Sequence, residues 1–413
     1  MAYSLFWDSV VHHSPIWLTP PDLWNTFRAS QYVVWRGEGQ IYNNPAAFQT
    51  FPGIAVILMP IAKLSGLLQL TANVGVTLPR PSTWWFLGPT ELGLGASLLF
   101  PLDDLAKRLS IPSRRRMILA GFEAALVWPT VAMWGHPEDA LSLAFAIYAL
   151  LSAFDAKWLR TSVLFGCAIA IQPLVLLMLP IAIALLPVKY WPRVTSIAIF
   201  PSALLLLSPL VQEWGPTTRI LLKQPNYVAN NHPTPWVSLA PVIQPSHWQL
   251  FNSFKQVVQA NGQIQNVATV TRARTLPVVA AGPGRIIAIV IACLLGAAVL
   301  RLKPKLVHVV WLAALALSLR CLFEPVMVPY YLLPAIAIAL VVAASSTRNR
   351  FIIASVASLV CTRVSYLHIS PWDYFLAFAI PLVLLLLVSL PPVFSEMRPQ
   401  EADQTVRIGD VNH

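Results

Sequence analysis

The dominant feature of this sequence is a succession of long apolar runs separated by short polar connections. Runs such as "MILAGFEAALVWPTVAM" and "ALSLAFAIYALLSAF" approach the length of about 17–25 apolar residues that a helix needs to cross a bilayer. Only 11% of the residues are charged, whereas a soluble domain carries about 25%. The sequence therefore predicts an all-α fold, a polytopic transmembrane helical bundle.

The basic residues predict how this bundle is oriented. Short connections rich in Lys and Arg mark the cytoplasmic side of a membrane. The net charge of +11 is thus largely a topology signal, which argues against nucleic acid as a partner. We predict an N-terminus outside the plasma membrane and a C-terminus in the cytoplasm. The basic connections are 107–116, 157–160, 189–193, 301–305 and 348–350.

A path through those connections predicts nine spans and one hairpin of two short helices. The hairpin covers 161–187, because that run begins and ends on basic flanks and is broken at "IQP" and at Pro180. The predicted spans are 84–106, 117–134, 139–156, 194–211, 284–302, 306–323, 329–345, 351–368 and 371–390.

The same reading divides the chain into four parts. The apolar segment 51–70 leaves two placements open, because it is apolar enough to span but is interrupted by Pro60 and Lys63. Placing it in the outer interface keeps residues 1–50 outside. The predicted parts are an extracytoplasmic first loop (1–50), an interfacial helix and connection (51–83), a transmembrane helical domain (84–393) with an extracytoplasmic loop (212–283), and a disordered cytoplasmic tail (394–413).

A mixed polar and aromatic stretch near the N-terminus is the first candidate for a functional site. It reads "PPDLWNTFRASQYVVWRGEGQIYNNPAAFQTFPGI" (20–54). One interpretation is an aqueous loop, and the other is that Asp22 is a catalytic carboxylate at the membrane surface. A general base must be held close to the substrate hydroxyl by ordered backbone.

The order of features in this region resembles that of the GT-C superfamily of membrane glycosyltransferases, bacterial mannosyltransferases among them. Asp22-Leu23-Trp24 is followed by "GQIYNNPAAF", by the apolar segment "FPGIAVILMPIA" and by a span ending in "LAKRL" (105–109). The resemblance implies a polyprenyl-phosphate sugar as donor, Asp22 as catalytic base and an interfacial position for 51–70. Members of that superfamily have a transmembrane helix before the acidic loop, whereas "MAYSLFWDSVVHHSPIWL" is too polar to span. Two explanations are open: the start is truncated, or this member lacks the first helix.

The turn "WGHPED" (134–139) carries two carboxylates and an imidazole on the predicted outer face. Three interpretations are open for His136, Glu138 and Asp139. Acidic residues in the first turn of a helix favour its positive end, and Pro137 suits the same turn. The layout of the GT-C superfamily implies instead that these residues bind the sugar or its phosphate. A divalent metal site is the third interpretation, which we do not favour.

Two further segments on the same face contain candidate binding residues. In "NYVANNHPTPWVSLAP", His232 and Trp236 suit a sugar, although an ordered Pro-rich loop would look similar. In "RCLFEPVMVPYY", Arg320 and Glu324 lie one helical turn apart and are either a structural ion pair or a binding site. We expect Arg320 to hold a lipid phosphate, because a guanidinium offers two parallel donors. Tyr330 is either a substrate contact or an interface anchor.

These features favour a glycosyltransferase that moves a sugar, with mannose as one candidate, from a polyprenyl phosphate to an envelope lipid or glycan. Its partners would be the lipid-linked donor, the acceptor and membrane lipids. No cofactor is predicted, and the four cysteines lack metal-ligand spacing. The alternatives are a transporter or flippase for a lipid or sugar, and a non-catalytic protein with the GT-C fold. We find no internal repeat of the kind that transporters often contain.

Overall fold

The structure is a computed structural model of the full chain. It describes residues 21–42, 48–70, 83–223, 225–227, 232–241, 247–258, 264–275, 277–279, 283–367 and 369–392. Two predictions concern residues outside these ranges. They are that the first 20 residues cannot span a membrane and that the tail is disordered.

Helices account for most of the described chain. In order they are α1 (Pro21–Arg36), α2 (Gly53–Leu67), α3 (Trp84–Ala96), α4 (Leu99–Arg108), α5 (Ser113–Trp128), α6 (Pro137–Phe154), α7 (Trp158–Ile171), α8 (Leu179–Ala184), α9 (Trp191–Gln212), α10 (Trp214–Thr218), α11 (Pro283–Leu302), α12 (Leu306–Phe323), α13 (Leu333–Ala344), α14 (Arg348–Val364) and α15 (Pro371–Ser389). Short 3-10 or π turns cover Glu38–Gln40, Pro129–Met133, Pro173–Met178, Val188–Tyr190, Arg219–Lys223, Pro235–Leu239 and Pro329–Leu332.

Six of the described helical segments are long and apolar enough to cross a membrane. The predicted helical fold is confirmed, the six segments agree with a multi-pass membrane protein, and nine spans remain a prediction. The six segments are Ser113–Met133, Pro137–Phe154, Val188–Gln212, Pro283–Leu302, Leu306–Phe323 and Pro371–Ser389.

Three predicted spans form shorter helices instead. The run 84–106 is divided into α3 and α4 by a turn at Ser97–Leu98, because Pro101 in the first turn of α4 has no N–H to bond to the carbonyl of Ser97. The run 329–345 begins as a 3-10 turn before α13. The run 351–368 corresponds to α14, which has 17 residues. The hairpin predicted at 161–187 forms α7, a 3-10 turn and α8.

Helix α13 forms the centre of the bundle. All twelve of its residues are buried, as expected for "LPAIAIALVVAA", which is apolar on every side. It packs against α12, α14, α15 and α5, and its alanines allow those helices to approach closely. Helix α6 is also largely buried, so the polar first turn of α6 is directed into protein rather than lipid.

Helices α1 and α2 pack against each other and form a smaller hydrophobic cluster beside the bundle. Leu23 and Phe27 of α1 are buried in it. Helix α2 has 15 residues, which corresponds to about 22 Å and is shorter than the hydrocarbon core of about 30 Å. Its length fits the interfacial position that we prefer for 51–70.

Short antiparallel sheets lie outside the helical bundle. They pair β1 (Pro225–Tyr227) with β5 (Pro277–Val279), β2 (His232–Pro233) with β6 (Val326–Met327), and β3 (His247–Val258) with β4 (Ile264–Thr275). The bundle is all-α as predicted, but the sequence analysis did not predict strands within 212–283. Strand β4 is rich in Val and Thr, which favour extended backbone.

Candidate active site

The turn "WGHPED" is built by a change in helix type. Helix α5 widens into a π-helical turn at Pro129–Met133, a feature that is frequent at functional sites. Gly135 then adopts φ 76°, a conformation that glycine takes without steric cost, and the chain reverses into α6. His136 occupies the N-cap of α6, and no side-chain capping bond is formed there among the described residues. The charged side chains of this turn are therefore available for other contacts.

A chain of hydrogen bonds joins Asp22, His136 and Glu138. The imidazole Nε2 of His136 lies 3.1 Å from Oδ2 of Asp22, and its Nδ1 lies 2.6 Å from Oε1 of Glu138. The side chain of Glu138 is 2% exposed, that of His136 13% and that of Asp22 44%. Only the Asp22 end of the chain is therefore accessible from solvent.

His136 is positively charged at neutral pH in this arrangement. Burial by itself lowers the pKa of its imidazole, but the negative charge of Glu138 and the hydrogen bonds to Asp22 and Glu138 outweigh burial and raise the pKa to about 10. The imidazolium donates from both ring nitrogens, one to each carboxylate.

Three buried acidic side chains lie next to His136 or influence it electrostatically, those of Glu138, Asp139 and Glu91. Asp139 accepts a hydrogen bond of 2.9 Å from Nε2 of Gln172. Glu91 of α3 is 1% exposed, and its strongest charged neighbours are Glu138 and His136. Each of the three acids retains one buried oxygen without a hydrogen-bond partner among the described residues. Sequence analysis missed Glu91, although a glutamate inside the apolar run "LGPTELGLGA" is the kind of intramembrane acid that indicates function.

Aromatic rings connect His136 to Arg320. Tyr330 stacks on the imidazole with 3.7 Å between ring centroids. Tyr331 contacts Tyr330 edge to face at 4.9 Å, and the guanidinium of Arg320 lies 3.5 Å from the centroid of the Tyr331 ring. The interpretation of Tyr330 as an interface anchor does not account for its stacking on His136. This contact places it in the candidate site.

Arg320 and Glu324 form an ion pair, one of the two arrangements that their spacing left open, but the pair is loose. Nε of Arg320 lies 3.6 Å from Oε2 of Glu324 and makes no hydrogen bond within the described part of the chain. Arg285, at the start of α11, lies 3.3 Å from Oε1 of the same carboxylate. Both arginines thus contact the same acid, and the buried carboxylate of Asp139 also interacts electrostatically with Arg320. Sequence analysis did not single out Arg285.

A cavity of about 160 Å³ opens beside these arginines. Arg285, Arg320 and Glu324 form its polar end, and its remaining wall is mainly apolar. Leu176 and Ile289 line it and are 39% and 51% exposed on the outside of the bundle. The cavity therefore connects the charged cluster to the apolar, lipid-facing surface.

His232 and Trp236 belong to a segment attached to the edge of this site. The hydroxyl of Thr234 donates a hydrogen bond of 2.6 Å to the carbonyl of Glu324, and β2 pairs with β6 just beyond. His232 stacks on Tyr374 of α15 at 4.7 Å, and Trp236 contacts Phe323 edge to face at 5.3 Å. The structure therefore unites Asp22, His136 and Glu138 directly, and Tyr330 and Arg320 through rings. It places His232 and Trp236 in the adjacent wall.

Among the residues that the structure describes, no group of three or more His, Cys, Asp or Glu side chains has the geometry of a metal site. The four cysteines are free thiols.

Comparisons of the chain with models of protein families, with curated proteins and with solved structures give no match.

Proposed function

We propose that the protein is a membrane glycosyltransferase that transfers a sugar from a polyprenyl-phosphate donor to a hydroxyl of a lipid or glycan acceptor. The observation that supports this most is an accessible carboxylate, Asp22, held by the buried His136–Glu138 pair at the same end of the bundle as Arg320. The resemblance in the order of motifs to the GT-C superfamily points to the same reaction.

In this reaction Asp22 acts as the general base. The Nε2–H of His136 donates to Oδ2, and the carboxylate, whose side chain is 44% exposed, accepts the proton of the acceptor hydroxyl. The hydroxyl oxygen then attacks the anomeric carbon of the sugar, and the bond from that carbon to the phosphate oxygen breaks. The products are the glycosylated acceptor and polyprenyl phosphate. Glu138 fixes the orientation of the imidazole and thereby that of Asp22.

Arg320 and Arg285 have the chemistry to hold the phosphate that leaves. Both contact the carboxylate of Glu324, and Nε of Arg320 makes no hydrogen bond within the described part of the chain. Charge that develops on a leaving phosphate is stabilised by donors that are already oriented. The apolar wall of the adjoining cavity suits the first isoprene units of the carrier.

The test is an assay of the purified full-length protein with radiolabelled polyprenyl-phosphate sugars and a lipid extract as acceptor. We expect Asp22→Asn to lower kcat by 100-fold or more, because a general base contributes about 10²–10⁴-fold. We expect Arg320→Gln to raise KM for the donor as well as to lower kcat, since the phosphate is bound before and after transfer.

The matched control is Asp373→Asn. Asp373 lies in the first turn of α15, and its neighbour Tyr374 contacts His232. The carboxylate of Asp373 accepts a hydrogen bond from Ser370 and is not part of the His136 cluster. This variant should retain transfer within about twofold of wild type. If Asp22→Asn keeps activity within a factor of ten while the protein stays folded, the role of Asp22 as a general base is wrong.

A transporter is the second candidate function, and Glu123 is the observation that favours it. Glu123 lies inside the helical segment Ser113–Met133, which is long and apolar enough to cross a membrane; it is 1% exposed, and neither carboxylate oxygen has a hydrogen-bond partner among the described residues. Such intramembrane acids often carry protons or ions in transporters. In proteoliposomes, lipid or sugar flux that Glu123→Gln abolishes and Asp22→Asn leaves intact would favour transport over transfer.

A further inference from the structure

A second, larger cavity lies at the opposite, basic end of the bundle. It has a volume of about 510 Å³, which lies within the range of about 300–1,000 Å³ typical of small-molecule sites. The cavity is a groove between α5 and α14, and it shares no lining residue with the cavity beside Arg320.

The walls of this groove are apolar and face outward. Ile118 of α5 is 49% exposed, and Ile352, Val356 and Leu359 of α14 are 45% to 55% exposed. Phe122 and Phe351 form its floor through an edge-to-face contact. Side chains of this kind on the outside of a membrane bundle contact the hydrocarbon of lipids.

The rim of the groove is strongly basic. Arg114 and Arg348 are exposed, and Arg115 donates to the carbonyls of Ala344 and Ser346, which fixes its guanidinium at the rim. No carboxylate forms an ion pair with these three arginines in the described ranges, and no acidic residue lines the groove. Helices α5 and α14 both begin at this end, so their positive ends add to the attraction for an anion.

The length of the groove identifies the kind of anion. Its lining runs from Pro112 to Phe122 on α5 and from Arg348 to Leu359 on α14, which is about 15–17 Å at 1.5 Å per residue. Half of a hydrocarbon core of about 30 Å has this depth. A free anion would occupy only the rim, whereas a lipid of one leaflet would fill both rim and groove.

We propose that this groove binds an anionic glycerophospholipid, with its phosphate at the rim formed by Arg114, Arg115 and Arg348 and one acyl chain between α5 and α14. Basic pockets between helices on the cytoplasmic side are suited to anionic headgroups. The proposal is independent of any catalytic activity, because the groove lies at the other end of the bundle from Asp22.

Native mass spectrometry of the full-length protein in detergent tests the proposal directly. Phosphatidylglycerol should bind at one site at least tenfold more tightly than phosphatidylcholine with the same acyl chains. Arg114→Gln with Arg348→Gln should weaken phosphatidylglycerol binding about tenfold or more, since each arginine near an anionic headgroup contributes several-fold. The control, Arg301→Gln with Lys303→Gln, removes the same charge at the same predicted face outside the groove and should have no effect.

A variant that fills the groove tests the same proposal if the arginine variant does not fold. Val356→Trp fills the groove and should weaken binding of phosphatidylglycerol without a change in charge. Val360→Trp, on the same helix but outside the lining, is 45% exposed in the native protein and should bind as wild type does. Equal binding of the two lipids, or no effect of either groove variant, would overturn the proposal. So would displacement of the lipid by inorganic phosphate at low millimolar concentration, which would indicate a site for a free anion.

Discussion

Replacement of His136 should destabilise the protein mainly through the acid that it leaves behind. Glu138 is 2% exposed, one of its oxygens already has no partner among the described residues, and the other bonds to His136. In His136→Gln the carboxylate loses its positive neighbour and remains buried. Removing one partner of a buried ion pair costs about 3–5 kcal/mol. We expect a loss near the lower limit, because Gln at position 136 can still donate one hydrogen bond.

A double-mutant cycle separates this effect from a general loss of packing. Glu138→Gln should be destabilising on its own, since His136 then keeps only the half-exposed Asp22 as a negative neighbour. His136→Gln with Glu138→Gln removes both charges and should cost about as much as one single replacement. The expected coupling free energy is about 2–3 kcal/mol, within the range for residues in direct contact.

The assay is equilibrium unfolding in mixed detergent micelles, followed by tryptophan fluorescence. The pH profile provides a second readout of the same pair. Because folding raises the pKa of His136 from 6.5 to about 10, its contribution is complete below pH 6.5, falls between pH 6.5 and 10, and is lost above about pH 10. Across this range the free energy of unfolding should fall by at most about 1.4 kcal/mol per pH unit. We expect about half of that slope, because Asp22 is partly exposed and solvent screens its charge.

The His136→Gln variant should lose this dependence on pH. If the two single replacements each change the free energy of unfolding by less than about 0.5 kcal/mol and their effects add, the buried pair is not charged as described. The same conclusion follows if wild type and His136→Gln have parallel stability profiles between pH 6.5 and 10.

Three other predictions concern the orientation, the helix packing and the buried acids. In intact cells a membrane-impermeant maleimide should label Ser238→Cys but not Lys303→Cys, which should be labelled only after the cells are permeabilised; the same result for both positions in intact cells would refute the topology. Gly284→Leu should destabilise the protein by about 1–3 kcal/mol in the micelle unfolding assay, because a Cβ atom there would overlap the carbonyl oxygen of Phe323, and an unchanged unfolding curve would refute that contact. Glu91→Gln should keep the fold, measured by circular dichroism, but change the pH profile of transfer, and an unchanged profile would exclude coupling of Glu91 to the site.

The long helices were the most predictable part of the fold. The predicted spans 284–302 and 306–323 agree with α11 and α12 to within one residue, because both runs are apolar over most of their length and are flanked by Pro or Lys. Pro101 was visible in the sequence, but apolar residues continue on both sides of the turn at Ser97–Leu98, and hydropathy alone does not register a missing hydrogen bond. Hydropathy likewise gave no sign of the strands within 212–283.

The candidate site was predictable in its residues but not in its contacts. Asp22, His136 and Glu138 stood out because charged residues in polar turns of a membrane protein are few. Their assembly depends on α1 packing against α2 and α2 against α7, which no periodicity encodes. Gln172 interrupts an apolar run at "IQP" and was interpreted only as a helix break. Its hydrogen bond to Asp139 shows that the break also directs a polar side chain inward.

The contact between Asp22 and His136 has a consequence for biosynthesis. The two residues are 114 positions apart, and a ribosome adds about 5–20 residues per second, so Asp22 is made on the order of ten seconds before its partner. Tyr330 and Arg320 follow later still, after most of the bundle has been synthesised. The carboxylate therefore spends the early part of translation in water or against the translocation machinery. A nascent chain that stalls before α6 would present α1 without the imidazole that bonds to Asp22, so this cluster of side chains is complete only after most of the chain has been inserted.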